Sequence, residues 1–85
     1  MNYVYVLKSL SSSKLYIGQT HNLELRLKQH NGEGLFSSGY TRGKGPWSLI
    51  HYESFTTRSE AIKREKFLKT GKGREFINNI MVESA

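Results

Sequence analysis

Residues 3–8 of this chain read Tyr-Val-Tyr-Val-Leu-Lys, and residues 15–18 read Leu-Tyr-Ile-Gly after a Ser11-Ser12-Ser13 cluster. Strict alternation of aromatic or apolar side chains with β-branched ones, interrupted by a polar turn, predicts a β-hairpin. The period of two then sorts the side chains. If Val4, Val6, Leu15 and Ile17 share one face, Tyr3, Tyr5 and Tyr16 are forced onto the other. The first eighteen residues thus commit the chain to a sheet with an aliphatic face and a phenolic one. At 85 residues that sheet belongs to a single small domain, because a chain of this length has no material for a second core.

Downstream signals add helices and one more strand. Asn22 is an N-cap for a helix running to about Gln29 or His30, with Leu23 and Leu27 as its buried stripe. At roughly 100° per residue, His30 and Arg26 fall on or beside that stripe. Residues 31–46 carry five glycines, a stretch long enough to be functional or disordered, and its Arg42 and Lys44, beside Phe36 and Tyr40, have the character of a nucleic-acid-contacting loop. Trp47–Phe55 alternates again and reads as a third strand, opened by Pro46 where a missing N–H does little harm. Thr57 with Glu60 forms a capping box for a helix to about Thr70, with Gly71 as its stop. Arg74–Met81 carries Phe76, Ile77 and Ile80 at helical spacing and predicts a short closing helix. The fold class is α+β: a three-stranded antiparallel sheet flanked by about three helices, over residues 1–82, with 83–85 as a tail.

Within the second long helix, Glu65 projects between Ala61 and Ile62, inside the apolar stripe. An ionised carboxylate withdrawn from water costs several kcal/mol unless it is paired or metal-bound. A cation is therefore expected to face it: Arg26, a lysine or a metal, the alternative being a helix turned so that the carboxylate stays wet. The Gly71-Lys72-Gly73 triplet is no phosphate loop, since it lacks the preceding strand and the spaced glycines.

Charge and composition narrow the partner. Thirteen Lys and Arg against seven Asp and Glu give a net charge of +6, and the cations are spread along the length, which favours a polyanion. With no cysteine there is neither a disulfide framework nor a thiolate metal site. No apolar run is long enough to span a bilayer and no secretory signal is evident; a cytoplasmic monomer is the expectation.

Taken in order, Tyr5 on the first strand, Tyr16-Ile17-Gly18 on the second, Arg26, His30 and Glu65 resemble the signature of the GIY-YIG nuclease superfamily. The resemblance spans nearly the whole chain and is nearest to the small single-domain bacterial members related to the nuclease part of the excision-repair C subunit; Gly39-Tyr40-Thr41 before Pro46-Trp47 is similar to that subgroup. It implies a strand-strand-helix-strand-helix-helix order and divalent-metal-dependent hydrolysis of phosphodiester bonds in DNA. In that reading Glu65 is the ligand of a single Mg²⁺ or Mn²⁺ and Arg26 clamps the phosphate. Tyr5, Tyr16 and His30 form the proton-transfer set, any of the three being a candidate base. Gln19, Arg42 and Lys44 contact nucleic acid, and a protein partner for targeting is compatible with so small a domain. The leading triplet departs from the motif, with Val4 where glycine is usual. The late asparagine of many members has two candidates, Asn78 and Asn79. The reading from a different class is a binding module of the same fold without catalysis.

Overall fold

The computed structural model describes residues 1–12, 14–30 and 46–84, the side chains of 83 and 84 excepted. Strands β1 (Asn2–Ser9), β2 (Leu15–Thr20) and β3 (Trp47–Phe55) form one antiparallel sheet in the order β2-β1-β3, with helices α1 (Leu23–His30), α2 (Arg58–Leu68) and α3 (Gly71–Ser84) around it. The expected α+β class and element order are observed.

Because β1 is central, both of its faces must be covered, and Val4, Tyr5, Val6 and Leu7 are all buried. The alternation sorts them as the sequence requires. Val4 and Val6 pack with Leu15 and Ile17 against Ala61 and Leu68 of α2 and Ile77 of α3. Tyr5 and Leu7 pack with Tyr16, Trp47 and Leu49 against Leu23 and Leu27 of α1. The domain is thus three layers, α1 on one face and α2 with α3 on the other. A bulge between Val6 and Leu7 shifts the pairing from His51 to Leu49, inserting Ile50 as the extra residue of β3.

Local chemistry sets the element ends. Asn22 Oδ1 accepts from the Leu25 N–H at 3.1 Å and caps α1. Thr57 Oγ1 accepts from the Glu60 N–H at 3.3 Å and caps α2. At the α2–α3 junction the sequence expectation is corrected. Gly71 does not stop α2; it opens α3, only Lys69 and Thr70 separating the two helices. Thr70 supplies the reason, since its Oγ1 accepts from the Gly73 N–H at 3.2 Å while its hydroxyl donates to Phe67 O at 2.6 Å. One threonine therefore caps one helix and closes the other. Gly73 is the glycine this corner demands: a Cβ there would lie 2.3 Å from Phe67 O and 2.4 Å from Leu68 Cα, inside any permitted contact.

Candidate active site

The five residues singled out by the sequence come from β1, β2, α1 and α2, and the outer edge of β2 is where they approach one another. Tyr5 stands opposite Gly18 in the β1–β2 register. A Cβ on Gly18 would meet the Tyr5 Oη at 2.7 Å and Tyr16 Cε1 at 3.0 Å. Only the bare glycine lets the Tyr5 phenol lie flat across β2 toward the sheet edge, and this steric fact gives the Tyr16-Ile17-Gly18 triplet its meaning.

His30, last residue of α1, is buried and its Nε2 lies 2.8 Å from the Tyr5 hydroxyl. Its ring is 4.5 Å from that of Tyr16, centroid to centroid, and the Tyr5 and Tyr16 rings are 6.2 Å apart. Arg26, one turn earlier on the same helix, reaches both hydroxyls: the Tyr5 phenol, foremost, and then Tyr16 hold its guanidinium in the charged form and raise its pKa. The Arg26 guanidinium is near enough to both phenols to interact with them, and the direction of the Tyr5–His30 bond follows the tautomer of the imidazole. Gln29 Oε1 accepts from Arg26 Nη1 at 3.1 Å and steadies the guanidinium from within the helix.

Burial governs the protonation of this cluster. It pushes the Tyr5 phenol up to about 12; Arg26 pulls the other way, and the negative charges of Tyr16 and Glu65 add to the rise. His30 is pushed down to about 4, first by burial and then by the Arg26 charge. Arg26 does lower the Tyr5 pKa, as a catalytic phenol would need, but desolvation outweighs it. Near neutral pH both members of the Tyr5–His30 pair are therefore uncharged. Tyr16, by contrast, is only half-buried.

Glu65 approaches from the opposite layer. Helix α2 packs on the aliphatic face of the sheet, yet the carboxylate is near enough for its charge to reach Tyr5. Its cation is Lys69, whose Nζ lies 2.8 Å from Glu65 Oε2, one turn along the same helix. The carboxylate is 22% exposed and Lys69 53% exposed. Among the cations expected to face Glu65, then, a lysine does so, and the helix also leaves the acid partly wet.

Two polar grooves flank the cluster. One is lined by Gln19, Arg26, Gln29 and, from the start of α2, Arg58. The other runs along the outside of β2 between Tyr16 and Lys14 on one side and Lys69, Arg74 and Asn78 on the other. Gln19 therefore stands beside Arg26. Of the two late asparagines, Asn78 is the one that shares a groove with Tyr16. Arg42 and Lys44 lie outside the described residues. Lys14, Arg58, Lys69 and Arg74 were not singled out by the sequence, because nothing short of the assembled fold brings the ends of β2, α2 and α3 together; for Lys69 alone a local signal exists, its i+4 spacing from Glu65.

The three-stranded antiparallel sheet thus carries a phenol, guanidinium and imidazole cluster at one edge with a carboxylate beside it. The GIY-YIG catalytic domain matches residues 1–78, and the chain belongs to that family. It is 48% identical over 69 residues to the UPF0213 protein of Clostridium perfringens, covering 81% of this chain and 71% of that one. It is 44% identical over 70 residues to a UPF0213 protein of Haloquadratum walsbyi, covering 81% and 74%. The solution NMR structure of a UPF0213 protein from Bacillus halodurans superposes with a TM-score of 0.55 at 32% identity, over 94% of this chain and 85% of that one. Among the described residues no helix is long and apolar enough to cross a membrane.

Proposed function

We propose that the protein is a divalent-metal-dependent endonuclease that hydrolyses phosphodiester bonds in DNA, with its centre at the β2 edge. The observation that carries this reading is the position of Arg26, a permanent cation held against the hydroxyls of both Tyr5 and Tyr16 with the Glu65 carboxylate within electrostatic reach. A guanidinium so placed offers a phosphate planar, charge-assisted hydrogen bonds and neutralises the charge that builds on its oxygens during attack.

Within this reading the two tyrosines divide the work. Tyr5, buried and pushed up to about 12, is ionised in only about one molecule in 10⁵ at pH 7; hydrogen-bonded to His30, it is a fixed strut that aims Arg26. Tyr16, half-buried at the edge, is the tyrosine that meets solvent: it first gives its own proton to bulk water and then, as phenolate beside the Arg26 charge, takes the proton of the attacking water. His30 is neutral and enclosed, so it orients Tyr5 and receives no proton from the reaction directly.

The chain also fits a metal ion. Glu65 is partly wet, and the lysine it pairs with is flexible and exposed. Among the described residues no three His, Asp or Glu side chains gather to form a cage, so Glu65 is the protein's ligand and water completes the shell, the manner in which Mg²⁺ is commonly held. The chemistry such an ion supplies is Lewis-acid stabilisation of the departing oxygen. The protein's own contributions are the Arg26 clamp, the Tyr16 base and the Tyr5–His30 support.

The test is incubation of purified protein with flap, fork, nicked and single-stranded DNA, with and without Mg²⁺ or Mn²⁺. Metal-dependent product that disappears in both Glu65→Ala and Arg26→Ala is expected. Salt-sensitive binding with no product under any condition would replace the enzyme by a binding module of the same fold.

A further inference from the structure

We infer that the groove along the outer edge of β2 is a second backbone-phosphate subsite, which grips the nucleic-acid strand to one side of the scissile bond. The inference rests on the nuclease reading for the identity of its occupant, but Lys14, Arg74 and Asn78, on which its test turns, lie outside the cluster that the reading uses for chemistry.

The groove has a volume of about 630 Å³ and is open along the strand. Three cations line it from three elements: Lys14 just before β2, Lys69 at the end of α2 and Arg74 on α3, with Asn78 one turn beyond Arg74 on the same helix face. Among the described residues no acidic side chain lines it. Among the described residues neither Lys14 nor Arg74 is engaged in a salt bridge, and both are exposed. Lys69 alone is committed, to Glu65. Lys14 and Arg74, two like charges on one concave strip with no ion pair of their own among the described residues, repel one another, and an anion removes that cost. Tyr16 forms the inner wall, so any chain of phosphates that occupies the groove passes the half-exposed phenol.

The chemistry of the lining selects a strand over a single anion. Lysines at 14 and 69 offer point charges, Arg74 a two-pronged donor and Asn78 a neutral donor and acceptor. Donors spread along an edge suit successive phosphates. A compact nest of backbone N–H groups would suit one.

Binding of a fluorescein-labelled single-stranded 20-mer, followed by anisotropy in EDTA between 50 and 200 mM salt, tests the assignment without cleavage. Removing one cation that neutralises a phosphate lowers the log-log salt slope by about 0.7 for a single strand. Lys14→Ala and Arg74→Ala are each expected to do so, the pair together by about 1.4, with affinity at 50 mM salt falling roughly tenfold. Arg74→Lys should restore the slope. Asn78→Ala should weaken binding about threefold with the slope unchanged, as loss of a neutral partner requires. Lys28→Ala, which removes a cation paired with Glu24 on α1, is the control and should leave the slope alone. Since all these positions are exposed or half-exposed, thermal melting of each variant should match the wild type.

If Lys28→Ala lowers the slope as much as Lys14→Ala or Arg74→Ala, the protein binds by net charge alone and the subsite is overturned. Wild-type protein that binds and cuts while the groove variants keep its slope also overturns the subsite, and leaves the nuclease reading standing. Altered slopes in a protein that never cuts with any metal support the subsite and remove the nuclease. Failure of the wild type to bind the oligonucleotide removes both.

Discussion

Glu53 and Glu65 are two carboxylates of nearly equal exposure, 24% and 22%, each facing a cation supplied by α2 or its C-terminal cap. Glu53 on β3 is held by Arg64 through two bonds, Nε to Oε1 at 2.9 Å and Nη2 to Oε2 at 3.1 Å, and by His51 Nε2 at 2.8 Å. The Arg64 guanidinium itself lies 5.0 Å from the ring centres of both Phe67 and Phe76. Glu65, the next residue along α2, has a single lysine one turn away. Both oxygens of Glu53 are consumed by partners, and the bonds from Arg64 fasten α2 to β3. Glu65 has one oxygen engaged, by a partner one turn along its own helix that crosses no interface. Burial is the same; what differs is whether the acid is finished. A finished carboxylate stabilises, and an unfinished one is available.

The largest expected effect breaks the pair apart on cleavage. Glu65→Gln should reduce metal-dependent cutting by about 10³-fold or more, equivalent to roughly 4 kcal/mol of barrier. Its melting temperature should stay within the few degrees allowed to a surface substitution. Glu53→Gln should cut at close to the wild-type rate per folded molecule. Equal losses in the two variants, read from single-turnover kinetics beside melting curves, would erase the distinction.

Next in size is a pH effect in the Tyr5–His30 pair, which like Glu53 is fully satisfied but which involves no folded-state charge near neutrality. His30 faces Tyr5, the Tyr16 ring and Arg26, and its pKa falls from about 6.5 to about 4. Above 6.5 the imidazole is neutral whether the chain is folded or not, and burial costs nothing on this account. As the pH drops from 6.5 to 4 the unfolded chain takes up a proton that the native state refuses, so stability is lost progressively. The loss across that window is about 3 kcal/mol. Urea midpoints between pH 7 and 4 should show it, and His30→Gln should flatten the curve. For Glu53, burial works to raise the pKa, but the hydrogen bonds and charges of His51 and Arg64 outweigh it and hold it below the ordinary carboxylate range. Its contribution is present above about 4.5 and disappears at lower pH, so His30→Gln should leave only that acid limb.

How much of this the sequence carried depends on the distance over which each feature is decided. The sheet was legible because alternation is local: Trp47–Phe55 matches β3 end for end, and Val4 and Val6 fall opposite Tyr5 as the period of two demands. The caps at Asn22 and Thr57 were legible for the same reason. Gly71 was misread because a glycine after a helix is usually its stop, whereas here the hydroxyl of Thr70 closes one helix and starts the next. Of the site, the order of Tyr5, Tyr16, Arg26, His30 and Glu65 was legible as a pattern. The sequence could not show that Tyr5 is enclosed while Tyr16 is half-open, because that depends on Gly18 standing opposite Tyr5 and on the end of α1 closing over it. Nor could it decide that Arg64 would go to Glu53 and Lys69 to Glu65, since the first choice is made across two elements.

That choice gives the third effect. Arg64→Met removes a guanidinium that carries two bonds and touches two rings, and it leaves Glu53 partly buried with His51 alone. A loss of about 2 kcal/mol in unfolding free energy is expected. The double variant Glu53→Gln with Arg64→Met should lose less than the sum of the singles, because the second substitution has no remaining pair to break. Additive losses in a urea-denaturation cycle would show that the bonds contribute little and that Phe67 and Phe76 carry the packing.

The smallest effect is the sharpest on the comparison. Lys69→Met removes the cation of Glu65, as Arg64→Met removes that of Glu53, but an exposed i,i+4 pair contributes only about 0.3–0.5 kcal/mol, so stability should change by no more than that. The freed carboxylate then has no competitor for a divalent ion. Mn²⁺ binding, measured by electron paramagnetic resonance on the DNA-free protein, should tighten modestly, about twofold if the whole pair energy is returned to the metal. Removal of the other lysine of the groove, Lys14, should not move it, since the ion pair of Glu65 is with Lys69. A Lys69→Met protein that melts like an Arg64→Met protein, or that binds Mn²⁺ more weakly than the wild type, would make Glu65 a second structural carboxylate and would take the metal away from it.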